Sequence, residues 1–180
     1  MIRKVAKTAF LLPLIPLVAA CATRPPVPSE AAGPFIIEDA LAGETIGRGK
    51  ITTITGVDRG FEAKLNGTWD GETLTLVEDF VFDDGEIDQK TWRLKKLANG
   101  EYEGTREDVV GTARGFQVEN GFRLEYIMAL PNGNGGTRNV KFRDILVVAD
   151  DGKVINNATI GYYGFRVGRV ALTIEDASTT

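Results

Sequence analysis

Asn120-Gly121-Phe122-Arg123-Leu124-Glu125-Tyr126-Ile127-Met128 decides the fold. Phe122, Leu124, Tyr126 and Met128 fall on one side of an extended chain, and Arg123 and Glu125 on the other, because successive strand side chains point to opposite faces. The Asn-Gly pair in front suits a two-residue hairpin turn, since both residues accept positive φ. The same pattern recurs along the chain. Asp70-Gly71, Asp84-Gly85, Asn99-Gly100 and Asp151-Gly152 are four more such pairs. The segments between them are rich in Thr, Val, Ile and aromatic residues. Phe61, Ala63, Leu65 and Trp69 alternate with Glu62, Lys64 and Asn66.

Ten strands are predicted, near 46–56, 60–69, 72–83, 86–98, 101–107, 109–119, 122–130, 137–149, 153–163 and 166–175. Only one proline, Pro131, lies beyond position 34, so strand interiors are free of it, as paired strands require. Consecutive hairpins make an antiparallel meander, and closing it removes the sticky edges. The expected fold is all-β, an up-and-down barrel of about 8–10 strands. A two-sheet β-sandwich is the alternative. No helix is expected in the domain.

The N-terminus reads differently. Arg3, Lys4 and Lys7 precede an apolar run from Ala9 to Ala20, the order of a secretion signal. The run is short of the ~20 residues that span a bilayer. It ends Val18-Ala19-Ala20-Cys21, which resembles a lipobox: an aliphatic residue, two small ones, then the cysteine that accepts lipid. Residues 1–20 are read as signal and Cys21, the only cysteine, as the acylation site. Residues 21–34 hold four prolines and are read as an extended spacer, and residues 35–180 as one domain. Ala22 rather than Asp follows Cys21, which favours the periplasmic face of an outer membrane. The expected partner is thus a membrane, reached through acyl chains on Cys21.

Removing the signal takes three of 21 basic residues and none of 25 acidic ones, leaving a net charge of about −7. That argues against nucleic acid, which wants a basic face. The chain has no histidine, which excludes a Ser-His-Asp triad and histidine metal ligands. Acylation of Cys21 excludes thiol chemistry, and no phosphate-cradling loop is present. No metal or cofactor is expected. The run Glu78-Asp79-Phe80-Val81-Phe82-Asp83-Asp84-Gly85-Glu86-Ile87-Asp88 is acidic, but its register does not fit a calcium loop, and a solvated hairpin tip accounts for it.

Two acids stand on apolar faces. Glu78 alternates with Leu74, Leu76, Phe80 and Phe82, and Asp144 with Val140, Phe142, Leu146 and Val148. Alternation turns both inward, where a carboxylate needs a partner or must become neutral. Arg166 and Lys90 are the candidate partners. The candidate ligand-binding set is Glu78, Trp92, Tyr126, Asp144 and Arg166: two aromatic walls with polar tips, two acids and a balancing cation. An internal salt bridge without any ligand is the plainer alternative. Gly67-Thr68-Trp69 also matches a lipocalin Gly-x-Trp fragment, a match short enough to arise by chance. Its implied partner is an arginine over the tryptophan, Arg166 or Arg169.

Longer motifs carry a resemblance. They are Asp58-Arg59, Asn66-Gly67-Thr68-Trp69, the acidic run from Glu78 to Glu86, Trp92-x-Leu94, Tyr102-x-Gly104-Thr105, Asp108-Val109-Val110-Gly111 with Ala113-x-Gly115, Phe142-x-Asp144, and Gly164-Phe165-Arg166-x-Gly168. In this order they resemble the bacterial lipoprotein family catalogued as domain of unknown function 3833. The resemblance implies a lipidated envelope protein with a calycin-like, lipocalin-like barrel, and it supplies no catalytic residues. The expected function is non-catalytic: binding or shielding a lipid or small apolar ligand. The alternatives are a carboxylate-based enzyme acting on envelope lipid and a structural envelope-assembly protein.

Overall fold

The structure is a computed structural model that describes residues 23–179; the segment read as a signal and Cys21 lie outside the described residues. Ten strands follow one another: β1 (Gly43–Thr53), β2 (Asp58–Trp69), β3 (Thr73–Phe82), β4 (Ile87–Lys96), β5 (Tyr102–Thr105), β6 (Ala113–Val118), β7 (Gly121–Pro131), β8 (Thr137–Val148), β9 (Val154–Tyr162) and β10 (Phe165–Asp176). Each pairs antiparallel with its sequence neighbours, and β1 closes on β10, so the sheet is a barrel without a free edge. All ten expected segments are strands, and the sandwich alternative falls away.

The turns differ from expectation. Gly85, Gly100 and Gly152 have positive φ, but the Asx residue before each does not. In each case the glycine amide closes a turn onto the carbonyl three residues back: Phe82, Leu97 and Ala149. These are three-residue loops with glycine in the left-handed position, which follows naturally when the Asx stays right-handed. Both central residues take positive φ at Tyr163-Gly164 instead, where φ is 47° and 83°.

One turn of helix, α1 (Ile37–Ala40), also departs from the all-strand reading. It plugs one end of the barrel. Phe35, Ile37 and Leu41 are buried there. Fully burying such side chains stabilises by roughly 1.5–3 kcal/mol each. The plug seats against β2 at Gly67, where a Cβ would stand 1.7 Å from the Leu41 carbonyl oxygen. Only glycine permits that approach. Trp69, two residues on, carries no arginine over its ring among the described contacts. Arg166 and Arg169 lie near the start of β10, at the opposite end of the barrel, so the lipocalin-type pairing is not formed.

The proline-rich segment is extended, but it is not free-standing over its described length. The Thr159 hydroxyl donates 2.9 Å to the Thr23 carbonyl, and Arg123 donates 3.0 Å to that of Pro25. Arg24 pairs with Glu125, and Ala31 bridges Ala149 beside the plugged end. From Thr23 to Phe35 the chain therefore descends the outer wall toward the plug. The β1–β2, β3–β4, β5–β6, β7–β8 and β9–β10 connections form the other end, the mouth.

Candidate functional site

Register turns Glu78, Trp92, Tyr126 and Asp144 inward, and the structure buries all four. Tyr126 joins the group through its ring. It stands edge-on to Trp92 at 5.0 Å and stacks on Phe142 at 5.2 Å. Arg166 does not join them. A bulge between Arg166 and Gly168 shifts the register of β10, pairs Arg166 with outward-facing Gly161 and leaves it exposed. Uninterrupted alternation, the premise for placing it inside, breaks there.

Arg106 is the interior cation instead. It follows β5, and the alternation of Tyr102, Gly104 and Arg106 carries it inward. Its Nη1 lies 3.3 Å from Glu78, its Nε 2.8 Å from Asp108, and its guanidinium 4.8 Å from the Trp92 ring centre. Its side chain is 9% exposed. The loop that carries it folds back on upper β7, where the Val110 amide donates 2.8 Å to the Ile127 carbonyl. This closes the wall above the short strands β5 and β6. Lys90, the other expected partner, pairs with Asp88 at 2.8 Å. The acidic hairpin tip is likewise tied: Arg59 bonds Asp84 and Glu86, each at 2.7 Å, and Asp83 accepts the Gly60 amide.

The two acids differ in their support. Burial pushes the Glu78 carboxyl up to about 7, offset only in part by Arg106, which gives its shorter contact to Asp108. Arg106 itself stays firmly charged: Tyr126, Glu78 and Asp108 overcome the burial that disfavours its charge. Asp144 is also pushed up to about 7 by burial, against weaker opposition from Asn156, Arg106 and Tyr126. Asp144 has no ion pair among the described residues. The hydrogen bond it accepts from Asn156 Nδ2 is 3.5 Å long. Asp144 Oδ1 and Asn156 Oδ1 are both buried without a partner. A proton on Asp144 supplies one more donor; once it leaves, Asn156 Nδ2 and the Tyr126 hydroxyl are the donors at hand, and an unmade buried hydrogen bond costs about 1–3 kcal/mol.

The interior is uneven around this pair. On the β4–β8 side the inward residues are buried at mid-barrel and half-buried only toward the strand ends, as at Lys90 and Leu130. On the opposite side Ile51, Phe80, Val170 and Leu172 point inward yet are only half-buried, and so is Asn156, which pairs with Leu172. An inward side chain that still meets solvent marks a concavity, and this one opens toward the mouth. Its wall is apolar, with Asn156 and Asp144 beside it. Two outer depressions, of about 480 and 370 Å³, lie at the plugged end around Gly43 and Asp176 and around Ala149 and Lys153, away from these groups. No group of three His, Cys, Asp or Glu side chains among the described residues is placed to hold a metal ion.

This barrel, with its ordered motifs on successive hairpins, matches the family described as "Protein of unknown function (DUF3833)" over residues 15–176. The chain belongs to that family. No curated protein matches it in sequence. Among solved structures, the DUF3833 barrel is similar to an S-type phycobiliprotein lyase, CPES, from Guillardia theta, at 11% identity and a TM-score of 0.55, covering 77% of this chain and 89% of the lyase. It also matches a redesigned β-barrel, mFAP1, bound to DFHBI, at 12% identity and a TM-score of 0.39, covering 77% and 96%. The likeness to the lyase extends to the fold, and fold does not carry activity.

Proposed function

We propose that this DUF3833 protein is a lipid-anchored envelope barrel that takes up a lipid acyl chain or similar small apolar ligand through its mouth. The observation that carries this reading is the orphan oxygen on each of Asp144 and Asn156 beside a half-open apolar wall. Ligand pockets combine apolar walls with a few placed polar groups. Here the unmatched atoms are oxygens, so the ligand presents a hydroxyl or amide donor to Asp144. Glu78 is held by Arg106 and shapes the site without needing the ligand. Trp92 and Tyr126 form its packed flank.

The signal-like N-terminus and Cys21 support the anchoring part of the proposal, at the periplasmic face of an outer membrane. Two or more acyl chains anchor stably where one does so marginally.

Mass spectrometry of lipids extracted from full-length protein tests the ligand; groups linked covalently to Cys21 remain with the protein. We expect a co-purifying acyl lipid that falls at least about tenfold in Asp144→Ala, while melting of the stripped protein shifts by less than the equivalent of ~1 kcal/mol. Equal lipid in both proteins, or a loss of about 3–5 kcal/mol as for a broken buried ion pair, refutes the role given to Asp144.

A further inference from the structure

Large apolar side chains that stand exposed gather at the mouth: Ile54, Val57, Val81, Ile87, Tyr163 and Phe165, with Tyr163 85% and Ile54 77% exposed. Clustered apolar exposure of this kind marks an interaction surface. The cluster has two parts of opposite charge. Val81 and Ile87 flank the acidic β3–β4 tip. Tyr163 and Phe165 form the β9–β10 turn beside the β1–β2 loop, whose Ile54 amide donates 2.9 Å to the Val167 carbonyl. On this side Arg166 and Arg169 are exposed cations, and Asp58 of the β1–β2 hairpin is paired with Lys50 at 2.6 Å.

Tyr163 is notable in its backbone. A two-residue turn with positive φ at both positions favours Asn, Asp or Gly. A bulky tyrosine at φ 47° gives up that preference, and its ring packs only on Tyr162, at 4.5 Å, among the described ring contacts. A local rule broken without a gain in the core points to function.

The start of the described chain lies on the same side. Thr23 is held at Thr159 on β9, three residues before the strand ends at Tyr162, a rise of about 10 Å. Residues 23–35 descend from this point toward the plug, so the described chain begins on its mouth side. Cys21 precedes Thr23 by two residues, a span of at most ~7 Å. Acyl chains on Cys21 would enter a bilayer close to the β9–β10 turn.

We propose that this corner is a membrane-docking surface: Ile54, Tyr163 and Phe165 sink into the headgroup boundary of a phospholipid bilayer, and Arg166 and Arg169 meet its phosphates. Aromatic residues are enriched at that boundary, and arginine pairs with phosphate in a planar fork. The barrel then tilts so that the acidic β3–β4 tip stands away from the lipid and the mouth faces the bilayer. The orientation rests on the reading of Cys21 as the lipid-bearing residue.

The test separates the two. Full-length Ile54→Cys, Tyr163→Cys and Asp151→Cys proteins, the last at the plugged end, are labelled with a polarity-sensitive dye. They are mixed with vesicles of equimolar phosphatidylcholine and phosphatidylglycerol carrying brominated acyl chains, which quench dyes at the acyl boundary. Intact mass reports acylation of Cys21 independently. Quenching at 54 and 163 at least about twofold stronger than at 151 is expected for side chains inserted to that boundary. That pattern without acylation would leave the surface standing and remove the anchor. Acylation with equal quenching at all three positions, or with none, would keep the anchor and overturn the surface. Neither acylation nor selective quenching overturns both.

Discussion

The plug and the barrel interior treat buried polar groups in opposite ways. At the plugged end Glu38 is buried, but its carboxylate accepts from Lys96 and from the Tyr102 hydroxyl, each at 2.5 Å. Burial raises the Glu38 pKa, and these two bonds outweigh it, so the carboxyl lies below its ordinary value. Burial and Glu38 push the Tyr102 hydroxyl up to about 12. Both oxygens of Glu38 are spoken for, and the assembly holds α1 in place. Farther inside the barrel, Asp144 and Asn156 each keep an orphan oxygen, and both interior acids are pushed upward. A satisfied polar cluster stabilises and specifies a fold. An unsatisfied one costs stability, and its persistence points to use.

Breaking the interior ion pair gives the largest expected effect. Arg106→Met leaves Glu78 and Asp108 without their interior cation and should cost about 3–5 kcal/mol near pH 8, read by urea unfolding. Near pH 5 the loss should shrink, because a Glu78 carboxyl with a pKa of about 7 is then neutral. An equal loss at both pH values would show that Arg106 acts through packing alone.

At the plugged end, Gly67→Ala puts a methyl group against the Leu41 carbonyl. Overpacking of this kind typically costs about 1–3 kcal/mol. Hydrogen exchange should quicken at residues 37–41 first. Unchanged exchange there would break the link between Gly67 and the plug.

The smallest change in stability sharpens the comparison most. Asp144 has a folded pKa of about 7 against 3.8 for the free group, so the folded state holds a proton that the unfolded state releases. The stability this contributes is full below about 3.8 and is lost as pH rises through about 7. Asp144→Asn should alter stability by less than about 1 kcal/mol near pH 5 and remove the Asp144 share of the decline toward pH 8. A slope identical to that of the natural protein would place the titration on Glu78 alone.

Much of the site was readable in the chain, for a local reason. Glu78, Trp92, Tyr126 and Asp144 sit in uninterrupted strands, where period two fixes the face. Arg166 failed because a single bulged residue reverses that period. Arg106 carried the same signal as the others, through Tyr102 and Gly104, but it stands one residue past the end of β5. Asn156 alternates with Val154 and Ala158, yet nothing in its neighbourhood marks it as Asp144's companion across the β8–β9 ladder.

By itself the sequence determined the ten strands, their order and the inward placement of two acids, because turn residues and side-chain alternation are properties of a few adjacent positions. It also set the signal-like N-terminus and Cys21 apart from the barrel. Tertiary structure alone decided that the turns are mostly three-residue loops, that a helical turn plugs one end against Gly67, and that Arg106 rather than Arg166 answers Glu78. It alone set Asp144 against Asn156 with an orphan oxygen on each and joined the Ile54 amide to Val167. Those outcomes depend on barrel closure, which joins β1 to β10 across more than a hundred residues, and no local pattern encodes which side chains closure will bring together.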